Sequence, residues 1–312
     1  PSYFEILTAA ALRWFGDVAV DAAVVEVGLG GTGDATNVVD GLVAVVTNVS
    51  MDHVQYIGPT LDEIAMEKAG VVKPTSTLVL GETDPALARH FLDRRAERIV
   101  RRNVDFGVTA DRLAVGGRVV DLFTPYGKYH DVFLALHGAH QADNAAVALA
   151  AVECFLERAL EPELVADAFA SVRTPGRLEV VGRQPLVLLD GVKNVAGARA
   201  LRGALAEEFA GSPRTLVVGL MREKEPREML DALGVLDATR LVCCRPESPR
   251  GHDPEIVAEA AYELGMSREA VMVIDDVREA VAYAIDAAGT DGEVVITGSL
   301  YVVGPARAQL IR

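Results

Sequence analysis

The sequence predicts an α/β fold whose C-terminal part is a doubly wound parallel sheet. Between residues 186 and 298, short apolar runs alternate with helical patterns, which is typical of parallel strands covered by helices. At 312 residues the chain is long for a single core, so we expect two domains. The breaker sequence at residues 174–176, Thr-Pro-Gly, places the boundary between a domain over 1–173 and one over 174–312.

The N-terminal part mixes helical and strand patterns. Residues 2–15 predict a helix, because apolar side chains recur near one face at Phe4, Leu7, Leu12 and Phe15. Apolar runs predict strands near 19–27 and 42–48. We therefore expect a helix followed by two strands before residue 50.

A capping-box pattern follows these runs. Thr60 with Glu63 predicts a helix start, and Gly70 is expected to end that helix. A short strand is predicted at 78–80 and an Arg-rich helix over 84–98. Glycine and proline turns between short alternating runs then predict hairpins over 104–136, and an Ala-rich run predicts a helix over 143–158.

The C-terminal part is regular. Each apolar run predicts a strand, and each amphipathic run between two strands predicts a helix. In chain order we expect strand 186–190, helix 196–210, strand 214–219, helix 226–234, strand 240–244, helix 254–264, strand 271–275, helix 277–287 and strand 293–298.

Composition excludes several classes of partner. The formal net charge of -15 argues against binding to nucleic acid or to an anionic membrane, which needs clustered Lys and Arg. No apolar run approaches the ~20 residues that span a bilayer. The three cysteines, Cys154, Cys243 and Cys244, have no spacing typical of a disulfide framework or a zinc site. These features favour a cytoplasmic enzyme.

The stretch EVGLGGTGDATN, residues 26–37, contains the glycine spacing of a dinucleotide-binding fingerprint. That fingerprint requires a helix directly after its third glycine. Here a second apolar run, 42–46, follows too soon for a crossover helix. We therefore interpret the spacing as accidental and expect a tight backbone loop that lets Glu26 and Asp34 face a site.

Polar residues that follow apolar runs are the first candidates for a site, because ligands of open α/β sheets gather beyond the carboxyl ends of the strands. In the N-terminal part these are Glu26, His53 and Lys68. Structural roles remain open for all three: a paired carboxylate, a loop histidine and a cation at a helix C-terminus.

The C-terminal part and the chain just before it supply a second set of candidates. These are His140, Gln141, Asn144, Arg177, Asp190, Lys193, Asn194 and the Thr297-Gly298-Ser299 stretch. Capping and turn chemistry is the alternative for these residues, since Asp-Gly turns and N-cap Asn are common. For residues 297–299 the pattern favours an N-cap.

The candidates occur within a set of stretches that, in this order, closely resemble the folylpolyglutamate synthase/dihydrofolate synthase family, a branch of the Mur ligases. The stretches are FEILTAAALRWF, EVGLGGTGDATNVV, TNVSMDHVQYIG, EKAGVVKP, HGAHQADNAAVALAAVE, PGRLEVV, LDGVKNVAGARAL and ITGSLYVVG. The resemblance implies a Mur-ligase-like fold: an incomplete N-terminal ATP-binding domain of the central, ATPase type over 1–173, and a Rossmann-like glutamate ligase domain over 174–312.

The resemblance also implies an activity and a set of partners. ATP would phosphorylate the carboxylate of folate or dihydropteroate, and the amine of L-glutamate would attack the acyl phosphate. ATP and Mg²⁺ are the implied cofactors, and a monomer is expected. Reactants of like charge need a metal ion and fixed positions to meet.

The same resemblance assigns roles to single residues. Glu26, His53 and Lys68 match metal-binding positions, and Lys68 matches a lysine that the family carbamylates, which would turn a cation into an oxygen ligand for magnesium. Asn144 matches a position at the adenine and Arg177 one at the phosphates, where a planar guanidinium binds well. Asp190 would contact the ribose or orient the site. The implied catalytic residues are Lys68, Asp190 and Lys193.

Two features depart from the family pattern. The family reads Asp-Gly-Ala-His-Asn where this chain has Lys193 in place of the histidine, which keeps positive charge but removes a group that titrates near neutrality. Nothing in the sequence matches the family's N-terminal phosphate-binding loop, and the chain starts with Pro1. We expect an upstream segment to be missing and these 312 residues alone to be inactive. A non-catalytic folate- or nucleotide-binding paralogue, and another Mur-type ligase acting on a cell-wall precursor, remain alternatives.

Overall fold

The structure, a computed structural model, describes residues 1–52, 56–211 and 213–311. The chain divides into two compact units. The first consists of Pro1–Ala110, Val120–Val132 and Asp143–Val165, and the second of Asp111–Val119, Phe133–Ala142 and Ala166–Arg312.

The first unit contains a three-stranded parallel sheet in the order β1-β2-β3. Its elements are α1 (Tyr3–Asp17), β1 (Val43–Val46), α2 (Leu61–Lys68), β2 (Thr77–Leu80), α3 (Pro85–Leu92) and β3 (Arg98–Arg101). Helix α2 begins with the predicted capping box: the Thr60 hydroxyl accepts from the Glu63 N–H, and the Glu63 carboxylate accepts from the Thr60 N–H. Apolar side chains of α2, α3 and the strands form the core, including Ala65, Leu78 and Phe91.

Two expectations for this unit are wrong. The strand predicted near 19–27 is not formed: this segment pairs with no described strand, and Val24 is 99% exposed. An apolar run forms a strand only where a neighbouring strand makes hydrogen bonds with its backbone N–H and C=O groups. The helix predicted over 84–98 ends at Leu92, and Arg98–Arg101 instead forms β3, because pairing with β2 satisfies its backbone.

A second three-stranded sheet has the order β4-β5-β6, so strands adjacent in sequence are neighbours, as the hairpin pattern predicted. Its strands and the two helices that follow are β4 (Gly107–Ala114), β5 (Gly117–Phe123), β6 (Lys128–Leu134), α4 (Ala139–Leu156) and α5 (Pro162–Ser171). Gly116, with φ of +83°, makes the turn between β4 and β5. Helix α4 begins earlier than the predicted start at residue 143, so His140 and Gln141 lie inside it.

The second unit is the doubly wound domain that the alternating pattern predicted. Its six-stranded sheet has the order β11-β10-β9-β12-β8-β7, and every pairing is parallel except that of β7 with β8. The strands are β7 (Glu179–Arg183), β8 (Leu186–Asp190), β9 (Arg214–Val218), β10 (Arg240–Cys243), β11 (Val271–Val273) and β12 (Glu293–Thr297). The helices are α6 (Val195–Glu208), α7 (Pro226–Leu233), α8 (Pro254–Leu264), α9 (Val277–Ala288) and α10 (Leu300–Leu310).

The helices cover the two faces of this sheet in separate groups. Buried side chains of α6, α7 and α8 pack on one face, with Leu188 and Val295, and those of α9 and α10 pack on the other, with Leu189 and Ile296. Strand β12 lies between β8 and β9, so the chain leaves β8 and β9 toward one face and β12 toward the other. This is a topological switch point, where open α/β sheets bind ligands at the carboxyl ends of the strands.

A buried charge network explains why residues 111–119 belong to the second unit. The Arg118 side chain is 3% exposed and contacts three carboxylates: that of Asp111 over 2.7 Å, that of Glu207 over 3.2 Å, and that of Glu208. A buried guanidinium is stable only when its charge is paired. Among the described residues no helix is long and apolar enough to cross a membrane.

Candidate active site

The glycine-rich segment of the first unit, residues 28–33, is bound to the C-terminal end of α2. The Thr32 backbone N–H donates to the Glu67 carbonyl oxygen over 3.1 Å, and the Thr32 hydroxyl donates to the same oxygen over 3.2 Å. The N–H of Gly33 donates to Glu67 Oε1 over 3.0 Å. Glu67 therefore fixes the segment beside Lys68, the last residue of α2. The sequence analysis gave Glu67 no role, since only the tertiary contact reveals it.

Two backbones approach so closely at position 31 that only glycine fits. A Cβ atom on Gly31 would lie 2.7 Å from the carbonyl oxygen of Glu67 and 2.9 Å from that of Lys68. After Gly33 the chain forms a 3-10 turn at Ala35–Val38 and no α-helix. The interpretation of the glycine spacing as accidental is thus confirmed, because the dinucleotide fingerprint needs an α-helix at this point.

Asp34 is used inside this loop. Its Oδ1 accepts from the Thr36 N–H over 2.9 Å and from the Thr36 hydroxyl over 2.6 Å, and its Oδ2 accepts from the Leu29 N–H over 2.9 Å. Burial raises the pKa of Asp34, but these hydrogen bonds outweigh it, and the net pKa is lowered. Asp34 is therefore an ionised carboxylate whose oxygens hold the loop together, rather than the site-facing group that we expected.

The three predicted metal ligands are placed as follows. Glu26 is exposed in the segment before the glycines, which forms no helix or strand, and Lys68 is half-buried at the end of α2. His53 lies outside the described residues. Within the described ranges, no three His, Cys, Asp or Glu side chains are grouped as a metal site. An ammonium at Lys68 does not suit magnesium, whereas a carbamate there would add oxygen donors to that of Glu26. The metal site stays a prediction.

Replacing Gly31 by Ala is expected to destabilise the first unit by about 1–3 kcal/mol, because the new methyl group overlaps backbone atoms of α2. Gly33→Ala is the matched control, since the atom nearest to a Cβ at Gly33 is Glu67 Oε1, at 3.9 Å. Urea unfolding followed by the fluorescence of Trp14, which lies in the same unit, measures both variants. Equal unfolding midpoints for the two variants would contradict the expectation.

In the second unit, Asp190 ends β8 at the carboxyl edge of the sheet and is 8% exposed. Its Oδ2 accepts from the Leu178 backbone N–H over 2.9 Å. Burial raises the pKa of Asp190 to about 6, although the N–H groups of Leu178 and Val192 and the charge of Arg177 act in the opposite direction. Asp190 is therefore a carboxyl group that gains and loses its proton near neutral pH.

Arg177 lies just before β7, and the antiparallel pairing of β7 with β8 brings it close to Asp190. Arg177 Nη1 donates to the Gly191 carbonyl oxygen over 3.0 Å, and the Gly191 N–H donates to the Gly176 carbonyl oxygen over 2.7 Å. Lys193 is exposed further along the turn after β8. Arg177, Asp190 and Lys193 thus lie at one edge of the second unit, and their roles at the nucleotide and in catalysis stay predictions.

Asn144 is exposed on α4, in the part of that helix assigned to the first unit. Arg177 and Asp190, the other residues predicted to contact the nucleotide, belong to the second unit. The role of Asn144 at the adenine stays a prediction.

The end of β12 carries two polar residues with different roles. Ser299 is the N-cap of α10, and its Oγ accepts from the Tyr301 N–H over 3.1 Å, which confirms the N-cap interpretation. Thr297 is fully buried, and its hydroxyl is one of few buried polar atoms in the described residues without a hydrogen-bond partner. The sequence signal was a polar residue ending an apolar run, but it did not separate Thr297 from its capping neighbour.

Comparisons with known proteins agree with this architecture. A model of the Mur ligase middle domain matches residues 5–152, and a model of the Mur ligase glutamate ligase domain matches residues 176–300. The chain is 40% identical to the dihydrofolate synthase/folylpolyglutamate synthase of Mycobacterium tuberculosis, over 98% of this chain and 68% of that protein. The chain belongs to the folylpolyglutamate synthase/dihydrofolate synthase family.

Solved structures of this family superpose closely on the chain. Mycobacterium tuberculosis folylpolyglutamate synthase, solved with ADP and AMPPCP, matches with a TM-score of 0.92 at 38% identity, over 100% of this chain and 73% of that one. The bifunctional folylpolyglutamate synthase/dihydrofolate synthase of Yersinia pestis, solved with AMPPNP and Mn ion, matches with a TM-score of 0.85 at 30% identity, over 99% of this chain and 71% of that one. The Mur-ligase-like α/β fold is therefore confirmed for this member of the folylpolyglutamate synthase/dihydrofolate synthase family.

Proposed function

We propose that the protein is an ATP-dependent ligase that joins L-glutamate to folate, to dihydropteroate, or to both. The observation that supports this most is the carboxyl end of β8, where Arg177 binds the carbonyl oxygen of the residue after Asp190, in a sheet that the glutamate ligase domain model matches. Relatives named for both activities, and relatives solved with ATP analogues, support the proposal.

The first step transfers the γ-phosphoryl group of ATP to the carboxylate of the acceptor. One carboxylate oxygen forms a bond to phosphorus, the bond from phosphorus to the β,γ-bridging oxygen breaks, and ADP leaves. We assign the guanidinium of Arg177 to the phosphates, because its exposed edge offers paired donors while one N–H is held by Gly191. Asn144 is proposed at the adenine.

In the second step the amine of L-glutamate attacks the acyl phosphate carbon, and inorganic phosphate leaves as the amide forms. The amine arrives as an ammonium ion and must lose a proton first. Asp190 is the group at this end of β8 whose pKa of about 6 suits it to take up that proton near neutral pH. Lys193 would supply positive charge for the developing phosphate, in place of the histidine of the family pattern.

The donor set of the first unit is compatible with a magnesium ion. Glu26, His53 and a carbamylated Lys68 would hold it, and such an ion neutralises phosphate charge when bound. The chain's own contribution is the rigid contact between residues 28–33 and α2, which fixes the backbone beside Lys68. A domain boundary after residue 173, a monomeric state and a cytoplasmic location stay predictions.

Phosphate release tests the proposal. The protein is assayed with ATP, Mg²⁺ and L-glutamate, and with dihydropteroate or tetrahydrofolate as acceptor. We expect phosphate to be released only when all components are present. The acceptor should become heavier by one glutamate. Binding of nucleotide without turnover would favour a non-catalytic paralogue, and turnover with a cell-wall precursor would favour another Mur-type ligase.

A further inference from the structure

A hydroxyl group lies beside Asp190 without an assigned role. Thr297 is the last residue of β12 and is fully buried, and its Oγ1 has no hydrogen-bond partner within the part of the chain that the structure describes. A buried polar group without a partner costs free energy, so native proteins keep few of them, and each calls for an explanation. The position of Thr297 supplies one.

The register of the sheet makes Asp190 the neighbour of Thr297. The two residues are paired in the parallel ladder of β12 with β8, and Thr297 is paired on its other side with Val218 of β9. Two residues earlier, the paired Leu188 and Val295 both belong to the core on the α6–α8 face. Because side chains alternate along a strand, Thr297 and Asp190 also point to this face. Of its two ladder neighbours, Asp190 alone has a polar side chain.

The ends of β9 and β12 lie very close together at this edge of the sheet. Gly298, with φ of +99°, follows Thr297, and a Cβ on it would lie 2.6 Å from the carbonyl oxygen of Gly219, which follows β9. Gly191 follows Asp190 on β8. These three glycines end the three strands at the topological switch point, where ligands of doubly wound sheets bind. The unpartnered hydroxyl is therefore at the functional end of the sheet.

We propose that Thr297 is a positioning residue, whose hydroxyl donates a hydrogen bond to the Asp190 carboxylate when that carboxylate carries its charge. Rotation about χ1 moves the hydroxyl among staggered positions without moving the backbone. In the role proposed above, Asp190 alternates between a charged and a neutral form, and a donor that turns toward it favours the charged form and fixes its orientation. The inference rests on that role of Asp190 in the proposed function.

The electrostatic surroundings of Asp190 leave room for this donor. Among the described residues, Arg177 is the charged group that lowers the pKa of Asp190. Its guanidinium donates to the Gly191 carbonyl oxygen, and no described hydrogen bond joins it to the Asp190 carboxylate. Lys193 is exposed on the same turn. The other partners of the carboxylate are the backbone N–H groups of Leu178 and Val192. A side-chain hydroxyl would be an additional donor, and one that a substitution can remove.

The test compares Thr297→Val, which removes the hydroxyl, with Thr297→Ser, which keeps it. Thr215→Val is the matched control, because Thr215 is a buried threonine near the opposite end of β9. The pKa of Asp190 is read directly from the ¹³C chemical shift of its carboxyl carbon during a pH titration, a measurement that needs no turnover. Removal of a donor to the charged form should raise this pKa by about one unit, a tenfold change in the ionisation constant.

We expect the raised pKa in Thr297→Val alone, with Thr297→Ser and Thr215→Val titrating as the wild type does. The fall in kcat at low pH should move to higher pH by the same amount in Thr297→Val, with little change in the KM for ATP. An Asp190 titration that is the same in Thr297→Val and wild type overturns the inference. Failure of the proposed function is a separate result, since it would abolish turnover in the wild type and leave the titration to decide.

Discussion

Replacement of Asp190 by Asn is expected to lower glutamate ligation about 100-fold or more, because the amide cannot take up the proton of the attacking ammonium ion. In the wild type, turnover should fall about tenfold for each pH unit below about 6, where burial keeps the carboxyl protonated. The Asp190→Asn variant should lose this acid limb together with its rate. A pH profile of kcat from phosphate release measures both, and an acid limb that persists in this variant would assign it to another group.

The same substitution should make the second unit more stable at neutral and alkaline pH. The pKa of Asp190 is raised from 3.8 to about 6, so the folded state holds a proton that the unfolded state has lost. The contribution of Asp190 to the free energy of unfolding is therefore greatest below pH 3.8. It falls by up to about 3 kcal/mol as the pH rises through 6. An asparagine at this position would not ionise, and its advantage over the wild type should grow between about pH 5 and pH 8.

Urea unfolding at those two pH values, with circular dichroism as the probe, tests this sign. If the variant gains the same free energy of unfolding over the wild type at both pH values, ionised Asp190 is not disfavoured in the folded protein. Asp237→Asn is a suitable control, since that carboxylate is half exposed and pairs with Arg202 at the surface.

Replacement of Lys68 by Ala is expected to reduce turnover by about 100-fold or more, if Lys68 carries a carbamate that helps to hold magnesium near the phosphates. Lys68→Arg should be as inactive, because a guanidinium keeps its charge and does not become an oxygen ligand. Both losses follow from the chemistry of the group and require no change in the fold. Thermal unfolding should show the variants folded.

The modification itself is tested with ¹³C-labelled bicarbonate. A carbamate carbonyl signal should appear in the wild type and be absent from Lys68→Ala, while Lys128→Ala, which removes an exposed lysine on β6, keeps both the signal and the turnover. Removal of dissolved CO₂ should lower the wild-type rate, and bicarbonate should restore it. Full activity of Lys68→Arg would contradict the role of a carbamate.

The C-terminal sheet was predictable because each of its parallel strands is a short, continuous apolar run between polar turns. The predicted bounds of strand 186–190 and helix 254–264 agree with those of β8 and α8. The apolar pattern did not predict β7 or α10. Strand β7 lies at the sheet edge and is half-buried along most of its length, and α10 contains Pro305. Local patterning carries most information where both faces of a sheet are covered.

The site was predictable in its residue types and less so in its contacts. Asp190 ends β8, a strand of strong apolar pattern, and the antiparallel pairing of β7 with β8 brings Arg177 close to it. By contrast, Gly31 meets Glu67 across a tertiary contact, and Thr297 meets Asp190 through the register of two strands far apart in sequence. Sequence periodicity does not encode which strands are paired, so these two relations became visible only in the structure.

The buried guanidinium of Arg118 has a consequence for how the second unit assembles. It ties a hairpin at residues 111–118 to the end of α6, where Glu208 also accepts from the backbone N–H of Gly138 over 2.7 Å and pairs with His137 over 2.8 Å. Chain segments some 90 residues apart must meet before Arg118 and Glu208 are paired. Loop closure of that length is slow, so the network should close late in folding. Amide protons around Arg118 should then exchange with solvent only when the whole unit opens, although the hairpin itself is local.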